Sequence, residues 1–397
     1  MRIPIILLLT TLLFSSAVDF YIYKVAKKRC CSDIPARIQK WSALILYLFL
    51  VIGICLPMRS GDGSVLLVKM WVLFAYLTIL IPKLIFVLFD LIGRIPVAFD
   101  KKRLGFLSVA GGVFAFIIFC AMWWGALVNR YGIDLKKEVV EIPDLPVGFD
   151  NYMIAQISDL HVGTFGSDSE YLEDVVNYVN ELQPDLIVFT GDLVNRKTDE
   201  LLPFVRTLSG LKANDGVISI LGNHDYGDYF DWTSEDEKSA SLKRMVDIQK
   251  KMSWTLLLND HIYIRHGSDS IAVIGVENVG DPPFKIYGDL KASYPDLSDN
   301  VTKILLSHNP VHWSAEIADN PDVNIALTLS GHTHAMQIEI GGVSPAAFRY
   351  DNWGGMYSDD IKRHSLYVNI GLGTVGLPMR LGATPEVTLF TLKRGGK

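Results

Sequence analysis

The stretch YMIAQISDLH (residues 152–161) is a short apolar run that stops in a carboxylate and an imidazole. Working outward, the same form recurs in DLIVFTGD (185–192), GVISILGNHD (216–225), KILLSH (303–308) and VNIALTLSGHTH (323–334). Each run is too short for a core helix and too continuously apolar for a half-exposed strand, so each reads as a buried strand ending in a polar loop. The mixed segments 169–182, 201–211 and 234–252 read as helices. Strands alternating with helices imply a layered α/β domain. After Trp254 short strands follow more closely, at 262–265, 271–276, 303–307, 323–329, 367–370 and 386–392. Two packed sheets with helices outside accommodate that count.

Upstream the chain changes character. Apolar runs at 3–23, 41–57, 66–92 and 104–128 are long enough, or nearly so, to cross ~30 Å of hydrocarbon as helices. We therefore expect residues 1–130 to form an all-α transmembrane bundle, 131–150 a linker and domain entry, and 151–397 the α/β domain. Lys83 inside the third run is read as snorkelling, or relieved by a break at Pro82, in preference to a buried ion pair. The first run is read as an uncleaved anchor, because a signal peptide would leave six basic residues between 24 and 40 on the wrong side and no small-residue cleavage site follows. Basic residues cluster after the first run (Lys24 to Lys40) and after the third (Arg94 to Arg103), which puts both loops in the cytoplasm and both termini outside. The α/β domain is then extracytoplasmic.

Charge divides at the same place. Residues 1–134 hold 15 Lys/Arg against 6 Asp/Glu, and the remainder 22 against 37. An acidic α/β domain argues against a nucleic-acid partner, which needs clustered basic side chains, and leaves the lipid bilayer and a phosphorylated lipid or small molecule as the expected partners. All four cysteines lie at or before residue 120, so any metal in the α/β domain is held by oxygen and nitrogen. Cys30 and Cys31, beside three basic residues, are weighed as an acylation site against the blander reading of two thiols without a role.

The strand-end residues carry the chemistry. Singly, Asp159, Asp192 or His308 would pass for a turn residue or a satisfied histidine. Together, five ligand-rich strand ends hold five of only nine histidines, a concentration that chance explains poorly. Such a set suits two divalent cations ~3.5–4 Å apart, which polarise a phosphoryl oxygen and generate hydroxide near neutral pH. Asp192, at a Gly-Asp turn, is the natural bridge between them. Mixed imidazole, carboxylate and amide donors favour Mn, with Fe or Zn as alternatives, over Ca or Mg.

In that order D-x-H, G-D, G-N-H-D, H and G-H-T-H resemble the calcineurin-like metallophosphoesterases, and the tail 371–392 resembles their bacterial membrane-associated branch, which includes YkuE- and YaeI-like phosphodiesterases. The resemblance implies a four-layer αββα sandwich of two mixed β-sheets flanked by helices. It implies that Asp159, His161, Asp192 and His334 hold one metal, and Asp192, Asn223, His308 and His332 the other. His224 would serve the leaving-group oxygen as proton donor or electrostatic stabiliser, oriented by Asp225. Where the branch has Gly-Gly-Gln after G-H-T-H, this chain has Ala335-Met336-Gln337, which alters the fit of substrate at that loop. Arg380 is a weaker candidate for a phosphate contact, weighed against a preferred structural role, and the loop 351–358 with Trp353, Met356 and Tyr357 is either a rim of the site or a packed loop. The expected activity is phosphoester hydrolysis by a hydroxide held between the two ions, on a phospholipid or envelope phosphodiester. The alternatives are a pyrophosphatase of a lipid A precursor (UDP-diacylglucosamine), a soluble-substrate phosphatase, and a membrane scaffold with a relict metal site.

Overall fold

The computed structural model describes residues 2–29, 32–57, 59–280, 285–359 and 363–395; Cys30 and Cys31 lie outside them. The chain divides into two compact units, Met1–Val128 with Gly376–Met379, and Asn129–Val375 with Arg380–Lys397.

The first unit is built from α1 (Arg2–Arg29), α2 (Ile34–Cys55), α3 (Gly63–Ile92) and α4 (Gly105–Leu127). All four are long and apolar enough to cross a membrane. Leu46, Leu50, Tyr76 and Leu80 pack between α2 and α3. The Asp62 carboxylate caps α3 by accepting from the Val65 amide. The helix passes through Pro82 without ending. Lys83 does not snorkel: its Nζ lies 2.7 Å from Asp19 Oδ1 on α1, and Gln39 and Tyr47 also donate to that carboxylate. A buried partner removes the reason to reach for water, which overturns the snorkelling reading.

The second unit contains β1 (Asp134–Ile142), β2 (Met153–Ile157), α5 (Glu170–Glu181), β3 (Leu186–Phe189), α6 (Val205–Leu208), β4 (Val217–Ser219), α7 (Glu235–Lys251) and β5 (Trp254–Leu256). It continues with β6 (Asp260–His266), β7 (Asp269–Gly275), β8 (Lys303–Leu306), β9 (Leu327–Ser330), β10 (Gly355–Ser358), β11 (Ser365–Val368) and β12 (Glu386–Arg394). One six-stranded sheet has the order β1-β12-β2-β3-β4-β5 and the other β10-β11-β9-β8-β7-β6. Both are mixed: β2, β3, β4 and β5 run parallel while β12 opposes β2, and β7, β8, β9 and β11 run parallel while β6 and β10 oppose their neighbours.

Period-two alternation sorts each strand between layers. Ile154, Leu186 and Val188 face the other sheet's Val273, Ile304 and Leu329, whereas Ala155, Ile187 and Phe189 face outward to Leu172, Val175 and Met245 on α5 and α7. On the far side Ile274, Leu305 and Val368 pack under Trp313 and Ile317. Both faces of both sheets are covered, which is why the strands read as unbroken apolar runs. This is the four-layer arrangement of two mixed sheets flanked by helices that the resemblance implied.

Two expectations are revised. Residues 134–142, read as a linker, form β1, which pairs in parallel with β12 some 250 positions later. Its partner is remote and its sequence DLKKEVVEI too charged to announce a strand. The helix read at 201–211 is a 3-10 turn, Thr198–Phe204, leading into the single α turn of α6, because Pro203 cannot donate to an α-helical ladder.

Candidate metal centre

Asp159 and His161 follow β2, Asp192 follows β3, Asn223 and His224 follow β4, His308 follows β8, and His332 and His334 follow β9. Since these strands are parallel within each sheet, their carboxyl ends bring all eight residues to one edge of the sandwich. Ligand atoms of Asp159, His161 and His334 lie within 4.8 Å of one another, as do those of Asp192, His308 and His332; Asp192 also groups in this way with His161 and His224. Asn223 Oδ1 is 3.1 Å from His308 Nε2 and 2.9 Å from His332 Nδ1.

The surrounding bonds fix which atoms point inward. His161 and His308 turn Nδ1 to the carbonyls of Val194 (3.2 Å) and Thr190 (2.7 Å), so each directs Nε2 to the interior. Asn223 Nδ2 donates to Tyr229 Oη at 2.9 Å, which assigns Oδ1 to the interior. Ring nitrogens therefore meet oxygens: His161 Nε2 and His308 Nε2 lie 3.6 and 3.2 Å from Asp192 Oδ2, and His334 Nε2 lies 3.3 Å from Asp159 Oδ1. A mixed N/O donor set of this kind suits a divalent transition ion.

The ionisation of the groups follows the same logic. Burial pushes Asp159 and Asp192 up, but the imidazoles around them, His334 for the first and His308 for the second, outweigh it and hold both below the usual carboxylate range. Burial opposes a proton on His308, yet Asp192 prevails and raises it to about 9. Burial and then His308 push His332 down to about 3, and burial lowers His161 and His334, leaving three neutral imidazoles as ligation requires.

The backbone is strained here. Asp159, His161, Asp192, His332 and His334 have φ of 52°, 44°, 61°, 76° and 52°, a left-handed conformation that costs non-glycine residues about 1–2 kcal/mol each. Two glycines make the packing possible. A Cβ on Gly222 would sit 2.2 Å from Asp192 Oδ1, and one on Gly331 2.3 Å from Asp159 Oδ2. Gly222 makes room for the carboxylate of the neighbouring strand, and Gly331 for that of a strand in the other sheet.

Other expected roles change. His224 lies beside Asp192, but Asp225 does not orient it. The Asp225 carboxylate accepts from the amides of Asp192 (2.9 Å), Gly222 (2.9 Å) and Val194 (3.2 Å), clamping two turns whose amides would otherwise be orphaned. Burial and then Asp192 push its carboxyl up to about 7. The His224 ring is set by Nδ1 on the Asn195 carbonyl at 2.6 Å and by stacking on Tyr229. Arg380 has no exposed surface with which to meet a phosphate: it donates to the carbonyls of Gly373, Ala383 and Ile370 and, at 3.1 Å, to His334 Nδ1. Trp353 packs against Ala335, Ile370 and Ala383, so that part of its loop is a packed support. In the segment that replaces Gly-Gly-Gln, Ala335 and Met336 adopt φ of 50° and 46°, and Met336 stays exposed.

Tyr229 and Tyr350, the latter 3.1 Å from His332 Nε2, touch the site and were not singled out by the sequence. Neither lies in a motif, and the aromatic-rich segments around them gave no signal. The other four histidines have partners of their own: His261 on Ser293 O, His266 on Asp215, His312 on Ser307 and His364 on Asp359.

Residues 152–336 match the family model described as Calcineurin-like phosphoesterase. Over 269 residues the chain is 32% identical to the uncharacterized metallophosphoesterase YkuE of Bacillus subtilis, covering 66% of this chain and 86% of that protein. The chain belongs to the calcineurin-like metallophosphoesterase family. Residues 1–130 of this metallophosphoesterase match a second model, Probable Calcineurin-like phosphoesterase, transmembrane domain. A transmembrane protein with metallophosphoesterase domain from Danio rerio is 27% identical over 418 aligned positions, 99% of this chain and 90% of its own. The UDP-2,3-diacylglucosamine pyrophosphatase LpxG of Chlamydia trachomatis is 28% identical, covering 66% of this chain and 88% of LpxG. This is therefore a membrane metallophosphoesterase, a phosphoric-ester hydrolase with candidate ligands for divalent metal, and its relatives include both bacterial and vertebrate proteins.

Proposed function

We propose that the metallophosphoesterase holds one divalent ion with Asp159, His161, Asp192 and His334 and a second with Asp192, Asn223, His308 and His332, and hydrolyses a phosphodiester of a phospholipid or envelope-derived molecule. The observation that carries this reading is the meeting of buried carboxylates, inward imidazole nitrogens and an amide oxygen around Asp192, without a lysine or arginine ion-paired to either aspartate among the described residues. Bound there, two divalent ions supply Lewis-acid polarisation of the phosphoryl oxygen and a nucleophile near neutral pH. Manganese is the ion we favour, with iron or zinc as alternatives.

The chain's own residues do the rest. With Nδ1 committed to Asn195, His224 has Nε2 left to hand a proton to the leaving oxygen. Tyr229 holds that ring by stacking and Asn223 by its amide, so a single side chain ties the acid to a metal ligand. Asp225 fixes the turn that carries Asp192.

The lipid assignment is supported by the membrane unit, since tethering raises the effective concentration of a bilayer substrate. The charge of the loops supports an extracytoplasmic catalytic domain. A second reading, a pyrophosphatase of a nucleotide-linked lipid, is favoured by the similarity to LpxG, and requires a cytoplasmic domain. A panel run on the manganese-loaded full-length protein in detergent decides between them: a phospholipid, a nucleotide pyrophosphate, and a chromogenic diester and monoester. Preference for the lipid diester is expected; hydrolysis of the pyrophosphate alone, with protease protection of the domain in intact cells, overturns the assignment. His224→Ala is expected to lower kcat about 10²-fold without loss of metal.

A further inference from the structure

The membrane unit gathers an excess of positive charge around one buried carboxylate. Asp90, near the end of α3 and fully buried, accepts from three guanidiniums: Arg29 at the end of α1 (2.7 Å), Arg94 (3.0 Å) and Arg103 just before α4 (2.5 Å). Ser108 and Tyr21 complete its shell at 2.7 and 2.6 Å. One carboxylate against three cations leaves two charges unmatched, and the buried Nε of Arg103 has no hydrogen-bond partner.

Beside this cluster lies a cavity of about 380 Å³. Arg29, Arg103 and Ser108 line its polar part, and Ile22, Val25 and Phe86 line its apolar part. Gly105, the first residue of α4, also faces it, so the positive end of a 23-residue helix adds to the attraction for an anion. These groups sit at the ends of α1 and α3 and the start of α4, the level where a spanning helix meets headgroups.

Guanidinium pairs match phosphate geometry. A zwitterionic headgroup would bring an ammonium toward unmatched arginines, whereas an anionic one supplies the missing charge. We propose that this cavity binds the phosphate of an anionic phospholipid, with Arg29 and Arg103 donating to its oxygens and an acyl chain lying against Ile22, Val25 and Phe86. The site rests on the membrane unit alone and stands or falls independently of the catalytic reading.

The test is native mass spectrometry of the full-length protein in detergent with equal amounts of phosphatidylglycerol and phosphatidylcholine. Wild type is expected to retain phosphatidylglycerol preferentially. Arg103→Gln and Arg29→Gln should each weaken that preference about fivefold, and Arg103→Lys less. Lys102→Gln, which removes an exposed neighbouring charge outside the cavity, should leave it unchanged. Equal loss in Lys102→Gln would mean diffuse surface attraction and overturn the site, as would equal retention of both lipids by wild type. Inorganic phosphate at millimolar concentration distinguishes the source: a protein that keeps phosphate and sheds phosphatidylglycerol binds the free anion, against the proposal. Where Arg103→Gln melts early, Arg29→Gln and Arg103→Lys carry the comparison.

Discussion

Both units bury carboxylates, but they neutralise them in opposite ways. In the membrane unit Asp19 is paired with Lys83, and Asp90 with Arg29, Arg94 and Arg103. In the catalytic unit Asp159 and Asp192 are as deeply buried, and among the described residues their ion-pair partners are histidines only. The first arrangement carries its own counter-charge and, at Asp90, more than enough. The second sets its carboxylates among imidazoles, three of which, His161, His332 and His334, are held neutral. A buried carboxylate that brings its cation is a fastening; one that lacks it is a receptor for a cation from outside.

The sharpest way to break this contrast is Asp192→Asn. If Asp192 is the shared acceptor, kcat should fall by about 10³-fold and bound metal should drop, measured by steady-state hydrolysis of a chromogenic diester with elemental analysis. Retained activity and metal would end the two-ion reading. Asp90→Asn tests the opposite unit. Removing the buried carboxylate that gathers three part-exposed guanidiniums should lower the melting temperature in detergent.

Glu386 sharpens the comparison because it belongs to neither class. It is buried, and among the described residues its carboxylate accepts from Tyr367 (2.9 Å) and Thr388 (3.1 Å). Burial pushes it up to about 7 from 4.5, with the two hydroxyls pulling the other way. Below the lower value both folded and unfolded chains keep the proton. As pH rises the unfolded chain ionises first, so the folded state loses stability until pH passes about 7. Glu386→Gln should therefore gain on wild type between pH 5 and 8 by on the order of 2 kcal/mol in denaturant melts. A constant difference across that range would remove the ionisation cost. The smallest effect concerns strain. Met336 is exposed at φ 46°, so Met336→Gly should stabilise by about 0.5 kcal/mol, a small rise in melting temperature. A fall would mean that its side chain packs in a way its exposure hides.

Much of the candidate site was legible because its residues are local to strand ends. Asp159, His161, Asp192, Asn223, His308, His332 and His334 each follow a short apolar run, and strand direction alone collects such ends on one edge. The failures share a cause as well. Asp225 lies next to His224 in sequence, yet adjacent side chains diverge at a tight turn, and its carboxylate went to the backbone. Arg380 could by type meet a phosphate or serve structure, and the carbonyls of Gly373, Ala383 and Ile370 absorb its donors. Lys83 found Asp19, 64 positions away, where the sequence favours snorkelling or a break at Pro82 over a partner.

Residue type, order and periodicity by themselves determined that an apolar helical unit precedes an α/β domain, and which nitrogen and oxygen donors lie at its strand ends, because these follow from local hydrophobic pattern and short spacing. Only the tertiary structure decided which atoms face one another: the inward Nε2 of His161 and His308, the left-handed backbone at five ligand positions, the clamp of Asp225 and the triple guanidinium at Asp90. Those depend on contacts across tens to hundreds of positions, and a linear spacing carries no direction for a side chain.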